Sequence, residues 1–197
     1  MPRPAKYDEF SILAATAKLV AADGPRAATM SAISQSMGAP NGSIYYRFTS
    51  RDALLGQLWL MKASTFQDAW ARALDEPDAR RAGLQAALSL PRVARMDLEG
   101  ARIMLLHRRD DFLSEGWPPE MKAEAERLGR QVSERLDEMT RRLFERLTDE
   151  TRLTTIYATL DLPMAAVRRY VAIGKRPPAM LDELISSAYW AVIERPV

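Results

Sequence analysis

The chain has 197 residues, 47% apolar and 27% charged, with a formal net charge of +2, the profile of a globular protein able to bury a real core. It has no Cys and a single His, His107, which excludes a disulfide scaffold, a thiolate nucleophile, a Cys-based zinc site and a multi-His metal site. There is no uncharged apolar run of about 18 residues, and the start Met-Pro-Arg-Pro-Ala-Lys-Tyr-Asp lacks an apolar signal core. The expectation is a cytoplasmic protein with no membrane partner, no metal and no cofactor.

Residues 1–6, with Arg3 and Lys6 beside Pro2 and Pro4, read as an arm. A first helix is predicted over 7–22, with Phe10, Leu13, Ala14, Ala17, Val20 and Ala21 as its core face, and Asp23-Gly24-Pro25 as its stop. A second helix, 30–37, opens at Thr29, whose hydroxyl suits an N-cap, and closes at Gly38, which suits a left-handed residue. Its Ile33 and Met37, four apart, share one face. Pro40 and Asn41 can restart the chain as a third helix, 41–47. Ile44 and Phe48 give this helix one buried side, and Asn41, Ser43, Tyr45, Tyr46 and Arg47 occupy the other. Two short helices joined by a tight turn, the second with a face dense in donors and aromatics, are what a helix-turn-helix places in the major groove.

The fourth helix begins at Ser50-Arg51-Asp52, with Ser50 as cap, and reaches about Leu74. Trp59, Phe66 and Trp70 lie on related turns and are candidates for the wall of a cavity, although aromatics at this spacing are more often plain core. A fifth helix is predicted over 78–95 with a kink at Pro91, and a sixth over 97–108. His107, in the cluster His107-Arg108-Arg109-Asp110-Asp111, reads as an ordinary surface or core group. The seventh helix, 119–147, is marked by Met121, Ala125, Leu128, Val132, Leu136, Met139, Leu143 and Leu147. The eighth lies within 150–174 and is predicted to kink or split at Pro163, with Asp161 available to cap the second piece. The ninth, about 178–194, carries Leu181, Leu184, Ile185, Ala188, Val192 and Ile193 on one face. No strand, repeat or Gly-rich phosphate loop is seen. The fold class is therefore all-α, with about nine helices.

Charge is uneven along the chain. Residues 1–56 set Arg3, Lys6, Lys18, Arg26, Arg47 and Arg51 against Asp8, Glu9, Asp23 and Asp52, so the whole excess of +2 sits at this end. A modestly basic end on a neutral body fits a nucleic-acid-binding head.

Thr29, Ile33, Gly38, Gly42, Ser43, Ile44, Tyr45, Tyr46, Phe48 and Arg51, with Leu54 following, stand at fixed spacing with no gap. In this the stretch resembles the DNA-binding signature of the TetR family of bacterial repressors. The motif resemblance covers roughly residues 8–60; beyond it, only length and helical pattern agree. It departs from the family at Asn41, where a basic residue is common, and at Pro40, where Ser is common. The resemblance implies a three-helix helix-turn-helix head (1–50) and a helical effector-binding and dimerisation domain (51–197). The fourth helix would join them. Thr29, Ser31 and Arg51 resemble the family's phosphate contacts. Asn41, which can pair bidentately with adenine, and Ser43 are the choices for base edges. Gly42, Tyr45, Tyr46 and Arg47 complete the DNA face, the alternative for Tyr45 being packing against the first helix.

By the same resemblance, the partners are a double-stranded DNA operator, a small apolar or amphipathic effector and a second copy paired through the eighth and ninth helices, about 150–194. Wall candidates for the effector pocket are Trp59, Phe66, Met104, Phe112, Trp117, Met139 and Tyr157. The function read is a transcriptional regulator, a repressor released from a palindromic operator. Two alternatives stand beside it: a constitutive DNA-binding or interaction module with no effector, and an all-helical enzyme. The absence of Cys, the single His and the lack of a nucleophile-elbow Ser argue against the enzyme.

Overall fold

The computed structural model describes residues 7–112 and 116–195, with the side chain of Asn41 outside that description. The order is α1 (Glu9–Asp23), a 3-10 turn (Pro25–Ala27), α2 (Met30–Met37), α3 (Asn41–Tyr45), α4 (Arg51–Ala73), α5 (Ala79–Met96) and α6 (Leu98–Leu106). After a second 3-10 turn (Arg109–Asp111) come α7 (Pro119–Phe144), α8 (Asp149–Ile156), α9 (Leu162–Ala172) and α10 (Leu181–Ile193). No strand occurs among the described residues.

Local chemistry sets most of the helix starts. Side-chain oxygens of Asp8, Thr29, Ser50, Asp78, Asp97 and Thr148 each accept the backbone N–H three residues on, at 2.7–3.2 Å. Each satisfies one of the orphan donors of a first turn, a contribution of about 1 kcal/mol.

Pro163 does not split its helix into two capped pieces, contrary to that part of the expectation. A five-residue π turn, Tyr157–Asp161, joins α8 to α9 without a break, and the Leu162 N–H reaches back to the Tyr157 carbonyl. Asp161 sits in helical geometry (φ −64°, ψ −46°) and caps nothing. A proline removes one helical donor and crowds the carbonyl four residues back; a turn widened to five relieves both. With α8, the π turn and α9 counted as one rod, the described residues hold the nine helices expected.

Three further expectations are corrected. Phe10 is 74% exposed; α1 buries Ile12, Leu13, Thr16, Ala17, Val20 and Ala21 instead. On α10 the buried face is Leu181, Ile185, Tyr189 and Ile193, four apart, and Leu184 faces outward at 59% exposure. The seventh helix stops at Phe144, where Glu145 turns left-handed (φ 56°), and this leaves Leu147 exposed.

One buried cluster runs from Ile12, Val20, Ile33, Ile44 and Phe48 through Leu54 and Leu58 of α4 to Ile103, Trp117 and Leu128. The helix-turn-helix thus shares its core with the body along α4. A second cluster packs α5, α6, α9 and α10 around Ala87, Val167, Ile185 and Tyr189. The α5–α10 seam is close because Gly83 has no Cβ: one added there would overlap the Tyr189 hydroxyl and crowd Met139. That hydroxyl donates to the Arg80 carbonyl at 2.8 Å, and burial pushes its pKa well above the ordinary phenol value.

Gly83→Leu should therefore force Tyr189 out of the seam and cost about 1–3 kcal/mol. Urea denaturation measures it; a variant as stable as the parent would refute this packing.

Candidate nucleic-acid interface

The interface is built by the α2–turn–α3 unit. The Thr29 hydroxyl caps α2. The helix stops at Gly38, which is left-handed (φ 59°, ψ 34°), with the Ala39 N–H returning to the Ser34 carbonyl at 3.0 Å. The Ser34 hydroxyl closes the same turn by donating to the Ala39 carbonyl. From the front of the chain, the Tyr7 hydroxyl donates to the Gly38 carbonyl at 2.9 Å. Pro40 is extended (φ −62°, ψ 139°) and launches α3.

α3 then points its residues two ways. Ile44 is fully buried and Phe48 nearly so. Tyr45 is 55% and Tyr46 84% exposed, and Arg47 lies outside with its guanidinium 5.6 Å from the Tyr46 ring centre. Gly42, Thr29 and Ser31 are exposed, and Ser43 is half-buried. The exposure of Tyr45 is not that of a residue packed under α1. The side chain of Asn41, and Arg3 and Lys6, lie outside the described residues.

Arg51 is engaged where sequence reasoning saw only a phosphate contact. Its Nε donates to the Ala28 carbonyl at 2.9 Å, and its Nη2 donates to the Pro25 carbonyl. The guanidinium fastens the start of α4 to the chain entering α2, so α2, α3 and α4 are held as one block. No local pattern announces this bond, which spans more than twenty residues. At the other end of the unit, Asp8 accepts the Ser11 N–H, which holds its carboxyl below the usual range.

The body contains an apolar cavity of about 230 Å³, walled by Phe66 and Trp70 of α4, Leu90 of α5, Met104 and Leu105 of α6, and Met164 of α9. No Asp, Glu, Lys, Arg or His is among its lining residues. A larger groove of about 400 Å³ between α4 and α7 is more polar, with Asp68, Glu134, Arg135 and Glu138 on it. Phe66 and Met104 thus come together at the apolar cavity. Trp59, Phe112 and Trp117 lie instead in the core shared with the helix-turn-helix. There Trp117 Nε1 donates to the Phe112 carbonyl at 2.9 Å, and the Arg109 guanidinium lies 5.4 Å from the Trp59 ring centre. Met139 is buried beside the α5–α10 seam. Tyr157 is half exposed on the π turn. Leu90, Leu105 and Met164 escaped sequence reasoning, because an apolar residue on a helix carries no mark of facing a void rather than a neighbour. His107 packs edge-on to Phe112, with ring centres 6.3 Å apart, and lies against Gly24. No group of three His, Cys, Asp or Glu that could hold a metal occurs among the described residues. None of their helices is long and apolar enough to cross a membrane.

An exposed apolar series follows the α8–α9 rod and continues onto α10: Leu153, Tyr157, Met164, Ile173, Met180 and Leu184. A lone exposed apolar residue needs no explanation; Leu153 and Tyr157, four apart, share one face of the rod.

The family model of bacterial regulatory proteins of the tetR family matches residues 12–58, the segment that holds α1, α2, α3 and the start of α4. No curated relative matches. Among solved structures, the chain is similar to the fatty acid degradation regulator FadR of Bacillus halodurans, at 18% identity and TM-score 0.70, covering 98% of this chain and 97% of that one. FadR of Bacillus subtilis, solved in complex with stearoyl-CoA, matches at 16% identity and TM-score 0.70, over 95% and 98%. A TetR-like transcriptional regulator of Rhodococcus sp. RHA1 matches at 16% identity and TM-score 0.72, over 99% and 100%. At such identities these structures speak for the fold, and the family match speaks for residues 12–58. Residues 12–58 thus match the tetR family of bacterial regulatory proteins, and the all-helical fold that carries them is similar to that of these solved regulators.

Proposed function

We propose that the chain is a homodimeric repressor, released from a palindromic operator by a small apolar or amphipathic effector. The observation that carries this reading is the two-sided α3, whose buried Ile44 and Phe48 anchor a surface of Tyr45, Tyr46 and Arg47. Residues 1–50 act as the head and 51–197 as the effector and dimer domain. Ser43 and Asn41 read base edges; Tyr45, Tyr46, Thr29 and Ser31 hold phosphate or sugar. One small head offers little discrimination. Two heads on a two-fold axis, about 34–36 Å apart, supply it.

The dimer surface is the apolar series on the α8–α9 rod and α10. The effector site is the apolar cavity, whose wall of Phe66, Met104 and Met164 suits an adaptable fit. The stearoyl-CoA held by the Bacillus subtilis neighbour supports a ligand with a large apolar part. An effector acts by binding one arrangement of the heads better than the other, and it can shift the balance only by that difference.

Tyr45→Ala and Ser43→Ala should each weaken operator binding, together by about 10- to 100-fold, with far-UV dichroism and dimer unchanged. Unaltered binding in both variants would refute the recognition-helix assignment. Leu184→Glu places a charge on the exposed series and should shift the protein to monomers in sedimentation; an intact dimer would place the interface elsewhere. Ile185 is unsuited to that test, since it is buried within its own chain at 1% exposure.

A further inference from the structure

Arg102, in the middle of α6, donates from Nε to the Ala21 carbonyl at 2.7 Å and from Nη1 to the Val171 carbonyl at 2.6 Å. Ala21 is in the last turn of α1 and Val171 in the last turn of α9. Both sit at the negative pole of a helix dipole, and the Val171 carbonyl also accepts the Gly174 N–H at 3.1 Å. The Ala21 carbonyl has a particular need. Its helical partner would be the N–H of residue 25, and residue 25 is a proline. One guanidinium therefore clasps the end of a head helix and the end of a helix carrying the exposed apolar series.

α6 is also where the cavity meets this clasp. Met104 and Leu105, two and three residues beyond Arg102, line the void. The N-terminus of α6 is fixed by Asp97, which accepts the Gly100 N–H at 2.8 Å and pairs with Lys62 of α4 at 2.7 Å. A nine-residue helix is thus tied to α4 at one end and to α1 and α9 in its middle. Any displacement of α6 must either carry the end of α1 relative to α9 or break one of the two bonds.

We propose that Arg102 is the positioning residue that fixes the angle of each head relative to the dimer helices, and hence the half-site spacing the protein accepts. This rests on the regulator reading above. A guanidinium offers donors on two edges of a rigid plane; a lysine ammonium is a single point donor and does not reproduce that fork.

The test uses the full-length protein, a duplex selected from random sequences, and copies of it with the half-sites moved apart or together by one and two base pairs. The parent protein should lose about tenfold or more in affinity with each altered spacing. Arg102→Met should remain a folded dimer, with its native-spacing affinity lowered and all spacings bound within about threefold of one another. If Arg102→Met fails to fold, Arg102→Lys decides by the same readout. A folded variant that keeps the parent's spacing preference, or weakens all spacings alike, overturns the proposal and leaves the regulator reading standing. A parent protein indifferent to spacing overturns both.

Discussion

A helix of five residues cannot hold itself in water, because its few hydrogen bonds do not offset the cost of nucleation. α3 exists because Ile44 and Phe48 are driven into the core formed by Ile12, Val20, Ile33 and Leu54. Burying two such side chains contributes several kcal/mol, about 1.5–3 each, and it decides which side of α3 is left outside. The same burial that stabilises the helix presents Tyr45, Tyr46 and Arg47. Arg51 adds direction: by holding the carbonyls of Ala28 and Pro25, it ties the entry to α2 to the start of α4. The head is thus a rigid attachment on the end of a 23-residue lever, α4.

That lever runs past the apolar cavity. Phe66 and Trp70 of α4 share its wall with Met104 and Leu105 of α6 and Met164 of α9. A ligand that enlarged the void would press on the three helices that also bear on the head and on the exposed apolar series. The π turn at Tyr157–Asp161 belongs to the same layout. By absorbing Pro163 without a break, it keeps the α8–α9 rod continuous, so Leu153, Tyr157 and Met164 lie along one rod and not on two.

The helix-turn-helix was legible in the sequence because its devices are local. A cap, a left-handed glycine and apolar residues four apart are all written within a few positions of what they control. What stayed hidden depends on distant partners. Phe10 looked like core by spacing, but α1 buries Ile12 and Leu13 in that turn and leaves Phe10 outside. The buried face of α10 was misread at Leu184 because Gly83 draws Tyr189 inward, and a missing Cβ on another helix leaves no trace in the periodicity of this one. Pro163 reads as a breaker in any single-sequence rule, and only the widened turn reconciles it with a helix. Arg51 and Arg102 bond to backbone carbonyls, which every residue has, so nothing in the sequence names their partners.

The central claim is that α3, held by its buried side, reads DNA as half of a two-fold pair. Selection from random duplexes with the purified protein, followed by titration across a salt series, tests it most directly. The account predicts enrichment of a pseudo-palindrome whose half-sites lie about one helical turn, or a whole number of turns, apart. It further predicts two chains bound per duplex and an affinity that falls steeply as salt rises. Binding no tighter to the selected duplexes than to the starting pool would contradict it.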